Sequence, residues 1–572
     1  MSIDIETYRL KAQEAIEYVF VKEYHNSLGI PMPIVKMLLP DDANYSTGQY
    51  YITIDKTWQI HLNFGKLPIS YHEFQNEVKV LTRHEIEHYM CCPFDVITHF
   101  RMLKRIRDVY YKHFSHLGIN IKYACGAISN QAADIIVDTK NYYRHSKETL
   151  KSEIDWIKIG ANISACPRHC KLMFLTKEAI WKEDLGINET DPEFLKIVHQ
   201  LADSFTKNGI EDKSSFLDKV EEYAEIFFKL YVEDQKNPQQ SSQQGSQQQS
   251  GQQGPQQQSG QQGSQQQSGQ WGVGRPKDGD EHGNAFVFAD PDKVKEAIEV
   301  LAEETSVEEF IDLLAIAGII GMSDKQKGVL WFNVQSANII PIVEFSNTGN
   351  KSSYTYPSVW RIGDPIEELD LMLTYMTSPR LIPGMTTKKW EYVSNDDNGT
   401  ESKQMDLLLV VDTSGSMGSA MKESANMHQA VLASYGILSY FESTKSKVAF
   451  IGFSDKIDAY VDWSDKYDDV RERLLTNGHG GTKFPISRIK STLDVRSRDL
   501  VTVLITDGDL GNINESVSYF RDYLNDDNKL YIFLLGGSKS LHSYEPLKNI
   551  GAKIYNANNA NEFCDMVLTD ME

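Results

Sequence analysis

The sequence has no apolar run long enough to cross a bilayer, and charged residues are spread through its first twenty positions. The most apolar stretch, residues 313–322, is about half as long as a membrane-spanning helix, which needs roughly 20 apolar residues. Charges near the N-terminus leave no apolar segment of the kind found in secretion signals. These absences predict a protein with no membrane partner, and we expect it in the cytoplasm.

Cysteine is scarce as well. Six cysteines in 572 residues form no regular framework, which is typical of proteins from a reducing compartment. Cys166 and Cys170, together with Cys91 and Cys92, raise the alternative of a further metal site. Their spacing matches no standard zinc motif, however, and it favours ordinary buried thiols.

Basic residues are outnumbered by acidic ones. Lysine and arginine total 58 against 80 aspartate and glutamate residues, which gives a formal net charge of -22. A surface with this charge repels a phosphate backbone, so we expect no nucleic-acid partner. The sequence also lacks a Walker A motif, and we expect no nucleotide hydrolysis by this chain.

What is present falls into several domains. Residues 239–270 are almost wholly glutamine, serine and glycine, a composition that cannot build a core, and we predict a disordered tether over 236–275. Before it we predict an α+β domain at 1–235. After it we predict a mostly helical connecting region at 276–404 and an α/β domain at 405–572. The tether is expected to let two folded halves move independently.

Strands and helices alternate in the last third of the chain. Apolar runs at 406–411 and 500–506 predict strands buried on both faces, and Asp412 and Asp507 follow them directly. The alternation predicts a parallel, doubly wound (Rossmann-like) sheet. Ligands of such sheets bind beyond the carboxyl ends of the strands, where both aspartates are expected to lie.

The loop after the first of these strands reads DTSGS, and a glycine-rich loop at 478–482 ends in a threonine. With the second aspartate, the loops supply five side chains with oxygen donors: Asp412, Ser414, Ser416, Thr482 and Asp507. Such donors suit Mg²⁺ or Mn²⁺, with waters and one partner carboxylate completing the shell. The pattern resembles the metal-ion-dependent adhesion site of von Willebrand factor A domains. Without metal, the same residues would serve as a helix cap.

A second constellation lies near the N-terminus, where residues 84–88 read HEIEH. On a helix, His84 and His88 share one face and can bind the same Zn²⁺. Glu85 is then expected to act as the general base of a hydrolytic reaction. The alternative is a helix with two hydrogen-bonded histidines and no metal. The strand predicted at 59–63 precedes this helix, where zincin metallopeptidases keep an edge strand that pairs with substrate.

The third zinc ligand is expected on a later helix. Asn130, Asp134 and Asp138 recur at every fourth residue and therefore share one face. The motif resembles zincins of the glutamate-ligand type, in which an acidic ligand is followed four residues later by an acid that orients a histidine. By that resemblance Asp134 binds zinc, and Asp138 orients a histidine or is an alternative ligand. A solvated polar face is the other alternative.

The arrangement as a whole resembles a family of predicted bacterial, archaeal and phage metallopeptidases with a C-terminal von Willebrand factor A-like domain. The family's Ala-Ala-Asp pattern is matched by residues 132–134. The resemblance implies a zinc-dependent hydrolase of peptide bonds whose C-terminal metal recruits a protein partner or substrate. It also implies cooperation with AAA+ ATPases of the MoxR type. The alternative is a non-catalytic adaptor or chaperone-like protein that works with such an ATPase.

Overall fold

The structure is a computed structural model that divides into two compact units, Met1–Ser323 and Asp324–Glu572. The predicted tether lies outside the described residues, apart from Lys236. No helix in the described part of the chain is long and apolar enough to cross a membrane. The structure describes residues 5–39, 50–54, 59–64, 70–159, 163–236, 291–319, 321–337, 354–360, 388–393, 405–496, 500–508, 510–526, 528–536 and 541–557.

Helices dominate the first unit. They are α1 (Ile5–Glu17), α2 (Tyr71–Met90), α3 (Val96–Val109), α4 (Ile121–Ile159), α5 (Arg168–Trp181), α6 (Pro192–Thr206), α7 (Phe216–Lys236), α8 (Pro291–Glu303) and α9 (Val307–Ile316). The long helix α4 bends at His145, whose backbone leaves the helical region at φ -136° and ψ 48°. Apolar side chains of α1 and α2 share a core with the small sheet of this unit.

That sheet has three strands, β1 (Ile34–Met37), β2 (Tyr50–Ile54) and β3 (Gln59–Phe64), in the order β1–β3–β2. β3 pairs in parallel with β1 and antiparallel with β2. The expectation that the strand before α2 is an edge strand is therefore wrong. Both sides of β3 are already hydrogen-bonded to neighbouring strands, so its backbone cannot also pair with an extended peptide.

Helices α8 and α9 follow the low-complexity segment and pack against α3 and α4 within the first unit. Arg107 of α3 contacts Glu309 at 3.2 Å and Asp312 at 2.9 Å. Leu301 of α8 and Phe310 of α9 are buried. Since α7 and α8 flank residues 237–290, both ends of that segment are attached to the same unit.

The second unit contains an antiparallel pair, β4 (Tyr354–Val359) and β5 (Lys388–Val393), and a six-stranded sheet. The sheet has the order β11–β10–β9–β6–β7–β8. Its strands are β6 (Asp406–Asp412), β7 (Val448–Phe453), β8 (Ile457–Ser464), β9 (Leu500–Thr506), β10 (Lys529–Leu535) and β11 (Lys553–Ala557).

The expectation of a wholly parallel sheet is wrong at one edge. β8 runs antiparallel to β7, while the other neighbouring strands are parallel. A short turn at 454–456 joins β7 to β8, and a turn of that length can connect only antiparallel neighbours. β8 escaped prediction because most of its residues are only partly buried, unlike the fully buried strands around it.

The helices of the second unit are α10 (Asp324–Ala337), α11 (Asn426–Ser443), α12 (Tyr467–Leu474), α13 (Ile486–Leu493), α14 (Val517–Asn525) and α15 (Leu541–Lys548). Leu408 and Val410 of β6 share a core with residues of α13, α14 and α15. The alternate residues Leu407 and Leu409 are also buried, and α11 contacts β6. Helices therefore cover both faces of this mixed α/β sheet.

The strand order of the sheet reverses direction at its centre. β7 and β8 lie on one side of β6, and β9, β10 and β11 lie on the other. In open α/β sheets, ligands bind beyond the carboxyl ends of the strands at such a switch point. Asp412 ends β6 and Asp507 follows β9, so both aspartates lie at this position.

Candidate metal centres

Helix α2 is attached to α4 by a buried carboxylate. Glu87 has no exposed surface, and it contacts Lys140 Nζ at 2.8 Å and Arg144 Nη1 at 3.0 Å. A buried carboxylate requires such partners, because an unpaired charge costs several kcal/mol of desolvation. The two ion pairs hold the helix of the HEIEH motif against the helix that carries Asp134 and Asp138.

Three donor atoms meet between these helices. His84 Nε2 lies 3.0 Å from His88 Nε2, and Asp134 Oδ1 lies 3.5 Å from the first nitrogen and 3.2 Å from the second. Ligands of a tetrahedral zinc ion, bound at roughly 2.0–2.1 Å, lie about 3.3 Å from one another. The three atoms can therefore hold a metal ion with little rearrangement.

The electrostatics of this cluster favour a cation. Asp134 Oδ1 is buried without a hydrogen bond of regular geometry, although it faces two imidazole nitrogens. Burial lowers the pKa of His88, but Asp134 and Glu85 outweigh it and raise that pKa to about 9. The carboxylates thus favour the protonated form of His88 when no metal is bound. A metal ion would take the place of that proton, since proton and metal compete for the same lone pairs.

The opposite ring nitrogens are both held by the protein. His84 Nδ1 lies 2.7 Å from Asp138 Oδ1, and His88 Nδ1 lies 2.9 Å from the carbonyl oxygen of Cys92. Acceptors at Nδ1 select the tautomer in which Nε2 keeps its lone pair. Both rings therefore direct Nε2 toward Asp134.

The structure brings the predicted acidic residues to this cluster. The side chains of Asp134 and Asp138 are 16% and 11% exposed, so they do not form the solvated face that was the alternative. Asn130 Nδ2 donates to Asp134 Oδ2 at 3.1 Å, which leaves Oδ1 facing the histidines. Glu85, the predicted base, is half-buried beside His84 on α2.

One member of the network around His84 and Asp138 was not predicted from the sequence. Lys177 of α5 is buried, and its Nζ lies 3.0 Å from Asp138 Oδ2. The signal available in the sequence was a single lysine inside the apolar run LMFLTKEAIW. The Cys92 carbonyl could not be found in this way, because every residue carries such an oxygen.

The second centre surrounds Asp412. Its Oδ1 accepts a hydrogen bond from Ser414 N at 2.8 Å, and its Oδ2 accepts one from Thr506 Oγ1 at 2.6 Å. Burial raises the pKa of Asp412, hydrogen bonds from Thr506 and Ser414 oppose the shift, and the charge of Asp507 adds to it. Two carboxylates that repel each other, with one of them fully buried, are a favourable environment for a divalent cation.

Hydroxyl groups link the two aspartates. Ser416 Oγ donates to Asp507 Oδ1 at 3.0 Å and lies 3.1 Å from Ser414 Oγ. Asn426, at the start of α11, donates from Nδ2 to Asp507 Oδ2 at 3.1 Å. Four of the five predicted side chains are therefore in one hydrogen-bonded network. Asn426 and Thr506 are members that the predicted ligand set did not include, although Thr506 precedes Asp507 directly in the sequence.

The fifth predicted side chain, Thr482, is half-buried on the glycine-rich loop. Gly415 N donates to Gly480 O at 3.3 Å, which joins the DTSGS loop to the glycine-rich loop. Lys483 N donates to Ser454 O at 2.8 Å, which attaches the end of that loop to the turn after β7. Thr482 is held between these two contacts.

The cysteines do not form a metal site among the described residues. Cys91, Cys92 and Cys170 are buried, as expected for ordinary thiols. In the described part of the chain, one group of three histidine, cysteine or acidic side chains is close enough to hold a metal, and it consists of His84, His88 and Asp134.

No protein-family model and no curated protein matches the chain. Among solved structures, it is similar to the crystal structure of conserved hypothetical protein BatB from Bacteroides thetaiotaomicron. That match covers 29% of this chain and 97% of that chain, with 13% sequence identity and a TM-score of 0.25. So low a score establishes neither family nor function, and the roles of the two centres rest on their own geometry.

Proposed function

We propose that the protein is a zinc-dependent peptide hydrolase with a second, oxygen-lined metal site that binds a carboxylate of a protein partner or substrate. The observation that carries the proposal is the convergence of His84 Nε2, His88 Nε2 and Asp134 Oδ1 within 3.5 Å of one another. Two imidazoles and one carboxylate, with a position left open, are the ligand set of catalytic rather than structural zinc.

Zinc bound there would polarise a peptide carbonyl and lower the pKa of water. The residues of the chain supply the rest of the chemistry. Glu85, next to His84 on α2, takes a proton from the attacking water and returns it to the leaving amine. Asp138 and the Cys92 carbonyl keep both histidines in the tautomer that presents Nε2.

The second site is proposed to bind Mg²⁺ or Mn²⁺ through oxygen donors of the network around Asp412 and Asp507. Both carboxylates offset the charge of the ion, while Ser414, Ser416 and Thr482 are neutral donors. One position is left for a glutamate or aspartate of another protein. The resemblance to von Willebrand factor A domains supports this role, and it favours a MoxR-type AAA+ ATPase as the partner.

The test is metal analysis of the full chain combined with the substitution Glu85→Gln. We expect about one equivalent of zinc in both proteins. Cleavage of a peptide mixture, followed by mass spectrometry, should be lost in Glu85→Gln and retained in Glu77→Gln, a control on the same helix. A parent protein without zinc, or cleavage by Glu85→Gln at the parental rate, would refute the proposal.

A second candidate function is that of a non-catalytic adaptor with a structural zinc. The position of β3 favours it, because the strand before the HEIEH helix is paired on both sides and offers no free edge to substrate. An adaptor would lose partner binding on Asp412→Ala and would be unaffected by Glu85→Gln. Equal loss of function from both substitutions would rule the adaptor out.

A further inference from the structure

Lys177 lies at the centre of a buried chain of charges that leads to the proposed zinc site. Its side chain is 2% exposed, and its Nζ contacts Asp138 Oδ2 at 3.0 Å and also Glu153 Oε1. The other oxygen of Asp138 lies 2.7 Å from His84 Nδ1. The order of contacts is therefore Glu153, Lys177, Asp138, His84.

The charged state of Lys177 follows from its surroundings. Burial lowers the pKa of Lys177, but Asp138 and Glu153 outweigh burial and hold that pKa above its ordinary value. The side chain is an ammonium with two carboxylate partners. Burying a lysine costs several kcal/mol unless its charge is compensated, and Asp138 and Glu153 supply that compensation.

We propose that Lys177 is a positioning residue for the zinc site, acting through Asp138 on His84. The ammonium of Lys177 contacts Asp138 Oδ2, so Asp138 Oδ1 remains as the acceptor for His84 Nδ1. The ring of His84 is thereby fixed with Nε2 toward His88 and Asp134. The inference rests on the proposed zinc site and adds a residue that neither binds the metal nor touches a ligand.

Removal of the lysine has two opposing effects. The loss of one positive charge would by itself strengthen zinc binding, because it removes the repulsion between Lys177 and the ion. It would also leave Asp138 and Glu153 facing each other in a buried site, where two carboxylates cannot both stay ionised without a large cost. Repulsion between the two carboxylates then turns Asp138 from the orientation that Lys177 holds, and the hydrogen bond between Asp138 and His84 weakens. We expect the loss of orientation at His84 to outweigh the change in charge, because Lys177 does not touch the atoms that would bind the metal.

The experiment compares zinc affinity in Lys177→Met and Lys171→Met, measured by competition with a chromophoric chelator. Lys171 is a matched control, because it lies on the same helix and forms a buried ion pair with Glu189 at 2.9 Å. We expect Lys177→Met to weaken zinc binding about 10–100-fold, the usual effect of losing an outer partner of a ligand. Lys171→Met should leave it within about 2-fold, and Lys177→Arg should restore part of the loss.

A double-mutant cycle separates positioning from general destabilisation. If Lys177 acts through Asp138, then Lys177→Met should add little to the loss of zinc affinity already caused by Asp138→Asn. The visible spectrum of the Co²⁺-substituted protein should change in Lys177→Met and not in Lys171→Met. The cycle stays informative if Lys177→Met alone misfolds, because Asp138→Asn removes the carboxylate that Lys177→Met would leave unpaired.

Two failures can be told apart. A parent protein that binds no zinc refutes the proposed function and this inference with it. A parent that binds zinc, with Lys177→Met and Lys171→Met weakening it equally or with additive losses in the cycle, refutes the inference alone.

Discussion

Thr506 Oγ1 donates a hydrogen bond of 2.6 Å to Asp412 Oδ2, and this contact joins the carboxyl ends of two neighbouring parallel strands. The strands are β6 and β9, between which the connections of the sheet reverse direction. Together with Ser414 N on Oδ1, the bond fixes the carboxylate in one orientation. Each oxygen of an ionised carboxylate has a second lone pair, so the group can still serve a cation.

Mg²⁺ should stabilise the protein against heat, and the effect should depend on Asp412. A ligand present at 100 times its Kd adds about 2.7 kcal/mol to the free energy of unfolding. We expect the thermal midpoint to rise by several degrees when Mg²⁺ replaces EDTA. The rise should vanish in Asp412→Ala and persist in Asp522→Ala, which alters an exposed residue of α14. An unchanged rise in Asp412→Ala would place the ion elsewhere.

Gly478→Ala should weaken Mg²⁺ binding through the loop that carries Thr482. A methyl group at Gly478 would lie 2.5 Å from the backbone oxygen of Thr413, and backbone cannot yield as a flexible side chain does. Gly481→Ala is the matched control, because nothing lies within 4 Å of a methyl group at that position. Isothermal titration with Mg²⁺ should show about a 10-fold or larger loss of affinity in the first variant only. Equal affinities would mean that the loop is not part of the site.

Asp134 and Asp138 should differ in their effects on zinc. Asp134→Ala removes a donor atom, so zinc should be lost to a competing chelator almost completely. Asp138→Asn keeps all three donors and should cost about 10–100-fold in affinity. Asp155→Asn, on the same helix but paired with Lys151 at 2.9 Å, should have no effect. Similar zinc binding in Asp134→Ala and Asp155→Asn would exclude Asp134 as a ligand.

A cut within residues 237–290 should leave the two fragments bound to each other. Helices α8 and α9 beyond the cut remain packed on α3 and α4, with Phe310 fully buried and Arg107 paired to Asp312. We expect a protease site inserted after Ser250 to yield fragments that co-elute under native conditions.

Phe310→Asp should release them, since it places a charge in that buried contact, whereas substitution of the exposed Lys293 should not. Fragments that separate without Phe310→Asp would show that α8 and α9 do not hold the cut chain together.

The elements with the clearest apolar patterns were predicted closely. β9 has the predicted limits, 500–506, because a buried strand is marked by an apolar run with polar residues at its ends. The half-exposed edge strand β8 was missed for the opposite reason. Its alternating, partly polar residues do not stand out from a loop.

Within the candidate sites, the sequence by itself determined what depends on local spacing. His84 and His88 share a helix face because they are four residues apart, and Asp412 lies at a strand end because it follows an apolar run. Both inferences need only the repeat of a helix or strand.

Tertiary structure alone decided what depends on elements distant in the chain. It paired β3 on both sides, attached α8 and α9 to the first unit, and brought Lys177 to Asp138 and Thr506 to Asp412. Such contacts depend on which faces pack together and in what register. Those outcomes are set by the packing of the whole core, and no local pattern records them.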